Sequence, residues 1–112
     1  MTELHNQLTA EFLKALSDQT RLEILELLKN GEKTSEMIQN ALNKSQSTIS
    51  QQLNTLTKEQ IISFEKKGNK KYYQINSQKI FKILSLIKNF IVIREKEKLK
   101  SLSELDIFDT LV

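Results

Sequence analysis

The sequence predicts a mainly α chain carrying one small β-hairpin, and three observations predict it. Helix breakers are scarce: 112 residues include no proline, and glycine occurs only at Gly31 and Gly68. Apolar residues recur at three- and four-residue spacing over most of the length, the period of a helix with one buried face. Only around Gly68 does the pattern change, to β-branched and aromatic residues flanking a Gly-Asn pair.

The elements follow in order. A first helix covers about Glu3 to Leu16, with Leu4, Leu8, Phe12 and Leu16 in one stripe. Ser17 or Asp18 caps a second, RLEILELLKNG, whose apolar residues are Leu22, Ile24, Leu25, Leu27 and Leu28 and which Gly31 stops from the C′ position. Thr34 or Ser35 caps a short third helix holding Met37, Ile38, Ala41 and Leu42. After the polar joint NKS, Ser45 caps a fourth helix that ends near Glu59. IISFEKK and KYYQI then flank Gly68-Asn69, and glycine at the first central position of a two-residue loop suits a type II′ hairpin. Tyr72 and Tyr73 fall on opposite faces of the second strand, so one packs in the core. Asn76 or Ser77 opens a long last helix, about Gln78 to Lys98, and residues 99–112 form a short helix or tail. The expected order is α-α-α-α-β-β-α, with residues 1–98 as one folded unit and 99–112 as its tail.

Composition bounds what such a chain can do. Its length suits one domain, and 38% apolar with 28% charged residues suits a modest core. With no cysteine, disulfides, thiolate metal sites and cysteine nucleophiles are excluded. The single histidine, His5, has no second imidazole to share a metal with. There is no N-terminal apolar run, and Lys82 and Lys88 interrupt the one strongly apolar segment, so a cytoplasmic address with no membrane partner is expected. The formal charge of +3 is unevenly spread: residues 1–43 carry −3, residues 44–82 carry +6 and residues 83–112 carry 0. Positive charge concentrated in the middle third points to an anionic partner.

Two short helices, a tight joint, a polar helix and a lysine-tipped hairpin make a helix-turn-helix with a wing. The fourth helix, SQSTISQQLNTL at its start, is unusual for a surface helix. Ile49, Leu53 and Leu56 share one side, and the rest are hydroxyls and carboxamides instead of Glu and Lys. Carboxamides and hydroxyls are the groups that read base edges; Gln and Asn pair bidentately with adenine. Carboxylates would repel phosphate, and lysines would bind every sequence alike. Ser47, Ser50, Gln51 and Asn54, opposite the apolar side, are therefore the expected readers. Gln46 and Thr48, beside Ser45 at the helix N-terminus, suit a phosphate. Lys66, Lys67, Lys70 and Lys71 at the hairpin tip suit the DNA backbone.

These segments resemble a known family. LSDQTRLEILELLKNG, TSEMIQNALNKSQSTISQQLNTLTKEQII and KKGNKKYYQIN together look like the ArsR/SmtB winged-helix repressors over roughly residues 8–93. The resemblance implies a homodimer built on the first and last helices, a recognition helix at Ser45–Glu59 in the major groove and a wing beside the minor groove. It also implies repression of a small operon, released by an effector. Two departures stand out. Metal-sensing members carry a cysteine pair where this chain has Lys33 and Ser35, and others ligate metal through Asp and His on a last helix that here has neither up to Glu97. No metal and no cofactor are expected, and the sequence does not identify the effector. The glycine that closes the family's recognition helix is replaced by Gln60, which can take the left-handed conformation at a cost of about 1 kcal/mol.

The last helix is too apolar for one stripe: ten of the fourteen residues from Ile80 to Ile93 are apolar. A two-fold partner is the commonest way to bury such an excess, and it would set two recognition helices one DNA turn apart, suiting a palindromic double-stranded site. The expected dimer residues are Leu4, Leu8, Phe12, Ile80, Ile83, Leu84, Ile87, Phe90 and Ile91. The competing cover is the tail, folded back through Leu102, Leu105, Ile107, Phe108 and Leu111. The other functional class is a winged-helix module that binds protein instead of reading DNA, and AT-rich coding drift is the competing source of the glutamines. Catalysis has no support: there is no nucleophile–base pair, no carboxylate dyad and no phosphate-cradling glycine loop.

Overall fold

α1, Thr2–Leu16, buries only its last turn, through Ala15 and Leu16. The structure is a computed structural model that describes residues 1–111, with side chains through 105. It divides into two units, Met1–Gln78 and a second beginning at Lys79.

In the first unit three helices start on a side-chain cap, whereas α1 has none. Asp18 accepts the Arg21 N–H at 3.0 Å ahead of α2, Gln19–Leu28. Thr34 accepts the Met37 N–H at 3.2 Å ahead of α3, Ser35–Leu42. Ser45 accepts the Thr48 N–H at 3.2 Å ahead of α4, Gln46–Lys58. Such a cap contributes about 1 kcal/mol by pairing an N–H the helix cannot satisfy itself. The core these helices close around is aliphatic: Ile24, Leu25 and Leu28 of α2, Ile38 of α3, and Ile49, Leu53 and Leu56 of α4. Met37, expected on the apolar side of α3, is half exposed instead.

The sheet has three strands in the order β1-β3-β2, all antiparallel. β2 (Ile62–Lys67) and β3 (Lys70–Ile75) form the expected hairpin, closing at Lys67 opposite Lys70. Gly68 has φ +65 and Asn69 has no positive φ, the type II′ pattern. Tyr73 is the core tyrosine, 8% exposed, with its ring 5.5 Å from that of Phe64. Burial raises its phenol above the ordinary value. β1, Lys33–Thr34, was not expected; it pairs with Tyr73 and Tyr72 of β3 and makes the observed order α-α-β-α-α-β-β-α.

Two expected helix ends differ. Lys29 is the right-handed C-cap of α2, so Gly31 lies two residues beyond it, at φ +149, with its N–H on the Leu28 carbonyl at 3.3 Å. Asn76, with Ser77 one of the two residues expected to open the last helix, donates its carboxamide to the Gln60 carbonyl at 2.6 Å. It thereby secures the end of α4. Gln60 is left-handed at φ +61, its N–H on the Thr57 carbonyl and the Ile61 N–H on the Leu56 carbonyl, each at 3.0 Å. That is a Schellman ending, closed by the buried pair Leu56 and Ile61.

The second unit is a single helix, α5, Lys79–Leu111. It has no break at residues 98–99. Ile80 and Leu84 are buried, whereas Ile83, Leu86, Ile87, Phe90, Ile91, Val92 and Ile93 are exposed. Among the described residues no helix is long and apolar enough to cross a membrane.

Candidate nucleic-acid interface

The rotation of α4 is fixed from beneath. Ile49, Leu53 and Leu56 are 0%, 1% and 0% exposed, and each buried aliphatic side chain contributes about 1.5–3 kcal/mol that a rolled helix would forfeit. The opposite side must then face outward. Gln46, Ser47, Gln51 and Asn54 are exposed, and Thr48 and Ser50 half-buried. Only Lys58, in the last turn, brings a charge to the thirteen residues.

Thr57 Oγ1 is buried with no hydrogen-bond partner among the described residues, and the other hydroxyls and carboxamides of this helix separate into two sets. Ser45 Oγ caps the helix and donates to Thr48 Oγ1 at 2.9 Å, with Ser47 Oγ 3.2 Å away, and Thr55 Oγ1 donates to the Gln51 carbonyl at 3.1 Å. Gln52 Oε1 accepts from Arg21 Nη1 at 2.6 Å. These groups are occupied in holding α4, except that the exposed Ser47 hydroxyl, with a single contact, keeps room for a second partner. Among the described residues, the side chains of Gln46, Ser50, Gln51 and Asn54 have no such engagement. A carboxamide with donor and acceptor both open to solvent is chemically suited to a bidentate pair with an adenine edge.

The hairpin tip is built against its own stability. Lys66 stands opposite Lys71 and Lys67 opposite Lys70, two like-charged cross-strand pairs of the kind that destabilise a ribbon. Acids outside the hairpin relieve one pair. Glu32 accepts from Lys67 Nζ at 2.5 Å, and Glu36 lies 3.9 Å from Lys70 Nζ. The hydrogen bond to Glu32 raises the Lys67 pKa above its ordinary 10.5, with nearby negative charge adding to it. Lys71 lies over the Phe64 ring at 4.5 Å, a contact that leaves its charge in place. Lys66 and Lys71 have no acidic partner among the described residues. The four lysines are therefore not equivalent, a distinction the sequence did not disclose. Glu36, an acid in the first turn of α3 where it complements the helix dipole, also serves the wing.

The positions of the family's metal-binding cysteines do not fit a metal here. Lys33 is a strand residue bearing a cation, and Ser35 Oγ accepts from Gln39 Nε2 at 3.0 Å. Among the described residues no three His, Cys, Asp or Glu side chains come together.

Of the expected dimer residues, Leu4, Leu8, Ile83, Ile87, Phe90 and Ile91 are exposed and Phe12 is half-buried. Ile80 and Leu84 are already buried in the single chain and have little surface left for a partner. Sequence reasoning missed Arg21. Its spacing from Asp18 marks an N-cap, but nothing local shows where the guanidinium goes.

Comparison with known proteins gives a consistent result. The model of the bacterial regulatory protein, arsR family, matches residues 18–63. The transcriptional repressor SdpR of Bacillus subtilis is 40% identical over 78 residues, 70% of this chain and 87% of that protein. An arsenical resistance operon repressor of Staphylococcus aureus is 41% identical over 64 residues, 57% of this chain and 62% of that one. Among solved structures, NolR from Sinorhizobium fredii superposes with a TM-score of 0.73 at 28% identity, covering 80% of this chain and 89% of that one. A homodimeric winged helix-turn-helix DNA-binding domain from Mycobacterium bovis gives 0.71 at 27%, covering 85% and 86%.

Proposed function

Because the chain belongs to the arsR family of bacterial regulatory proteins, we propose that it is a sequence-specific, double-stranded-DNA-binding homodimer that represses transcription. The observation that carries this reading is the outer face of α4: uncharged, hydrogen-bonding, and held outward by three residues at most 1% exposed. Ser50, Gln51 and Asn54, with Ser47, read bases. Ser45, Gln46 and Thr48 sit at the helix N-terminus, where backbone N–H groups and the dipole favour a phosphate. Lys66, Lys67, Lys70 and Lys71 hold the DNA backbone, Lys66 and Lys71 with their charge unopposed.

Dimerisation is supported by what the chain leaves uncovered. Ile83, Ile87, Phe90 and Ile91 on α5, and Leu4 and Leu8 on α1, are exposed. The competing cover requires a reversal of the chain, and α5 runs on without one to Leu111. A second copy is the remaining simple solution, and it gives the two reading helices a two-fold axis to match a palindromic operator. Metal is not the signal at the family's usual positions, since Lys33 and Ser35 offer no thiolate.

Selection of bound duplexes from a random pool tests the reading. The expected product is an inverted repeat with half-sites about one helical turn apart. A pool that enriches no motif, or binding equal to that of any polyanion, would return the chain to the class of protein-binding modules.

A further inference from the structure

Arg21 lies in the first turn of α2, yet its side chain joins two other helices. Nε donates to the Ala15 carbonyl at 2.7 Å and Nη2 to the Lys14 carbonyl at 3.2 Å, both at the C-terminal end of α1. Nη1 donates to Gln52 Oε1 of α4 at 2.6 Å. The root of the side chain is fixed too, because the Arg21 N–H is held by Asp18. A guanidinium is planar and its donors diverge in fixed directions, so three bonds to two helices define an orientation. If α4 rolled about its axis, the Nη1 bond would break; if α1 swung, the other two would break.

Two of these facts bear on recognition. α1 carries Leu4 and Leu8, half exposed on the face assigned to the second copy, and α4 carries the reading side chains. Gln52 sits next to Gln51 but is turned away from the outer face to meet Arg21, which makes it a neighbour of the readers and not one of them. We propose that Arg21 is a positioning residue for DNA recognition: through Gln52 it holds α4 at the angle to α1 that sets the separation of the two half-sites a dimer can read. This rests on the dimeric DNA-reading function proposed above. In a two-fold assembly an angular error in one protomer is repeated in the other, so the bridge acts on spacing more than on the choice of base within a half-site.

The test uses the full chain and a panel of duplexes carrying the selected half-sites at the selected separation, or one base pair closer or farther. Arg21→Met and Gln52→Leu are each expected to lower the preference for the selected spacing by about tenfold, the scale of one hydrogen bond to a charged group. Base preference within a single half-site and the dimer seen by sedimentation stay as in the unmodified protein. Gln52→Glu, whose carboxylate still accepts from Nη1, keeps the spacing preference. Gln52→Leu leaves the α1 bonds of Arg21 intact, so it answers the question even where Arg21→Met fails to fold. Spacing preference unchanged in Gln52→Leu, or affinity lost equally at every spacing in step with thermal stability, would overturn the proposal while leaving the DNA-reading function standing. An unmodified protein that is monomeric, or that ignores sequence, would overturn both.

Discussion

The outer face of α4 and the tip of the hairpin lie on the same unit and are held in place by opposite means. α4 is locked by apolar burial beneath it, a serine cap before it and a left-handed Gln60 after it, and its outward groups are neutral. The hairpin tip has no buried residue, places like charges opposite each other and is steadied by Glu32, just ahead of β1, and Glu36 of α3. Rigid neutral groups discriminate because their hydrogen bonds have direction. Exposed lysines attract without discriminating, because a point charge has none. The molecule spends stability at the tip, where like charges meet, and gains it back in the core. Features that cost stability without a packing reason are expected at functional sites.

The largest expected effect removes the frame that both regions share. Ile87→Glu puts like charges face to face in the dimer, so sedimentation should show a monomer and operator affinity should fall by at least about 100-fold as bivalency is lost. A dimer that survives this substitution would move the interface off the exposed face of α5. Next in size is Gln51→Ala, expected to cost about 1–3 kcal/mol at one base pair while scrambled duplexes bind almost as before. Competition against single-base variants of the operator reads this directly.

Smaller effects sharpen the contrast within the tip. Lys66→Ala or Lys71→Ala should weaken all duplexes alike and lower the salt slope by about one ion. Glu32→Gln should act in the reverse direction, tightening every duplex and steepening the slope by releasing Lys67. The raised Lys67 pKa means its share of the ion pair is fully present below the ordinary lysine value and is lost only as pH rises through the raised one. The difference between Glu32→Gln and the unmodified protein should therefore be flat from neutrality to about pH 9. A slope unchanged by Glu32→Gln would show that Glu32 does not compete with phosphate. Smallest is Gln60→Gly, expected to raise stability by about 1 kcal/mol in thermal unfolding and to leave DNA binding untouched.

What was legible in the sequence was local. The i, i+4, i+7 spacing of Ile49, Leu53 and Leu56 determines which side of α4 is outside, and serine before a helix or glycine in a two-residue loop states its own conformation. Gln60 could be assigned its left-handed role from the family resemblance, in which a glycine stands at that position. The unread part was polar and distant. Lys67 meets Glu32 across 35 positions, and Arg21 meets Gln52 across 31. β1 is two residues long and exists only because β3 lies beside it. Periodicity records which residues are buried; it holds no record of which distant charged or amide groups find each other. Asn76 shows the same limit. It looked like the start of a helix and is used to close another one.

The most direct test of the division between reading and holding is fluorescence anisotropy of the unmodified protein, Gln51→Ala and Lys71→Ala. Each would be titrated with selected and scrambled duplexes at two salt concentrations. Gln51→Ala is expected to lose the preference for the selected duplex with its salt slope intact, and Lys71→Ala to keep the preference with a shallower slope. If both substitutions changed preference and slope in the same proportion, neutral face and charged tip would be one undifferentiated surface, with no division between reading and holding.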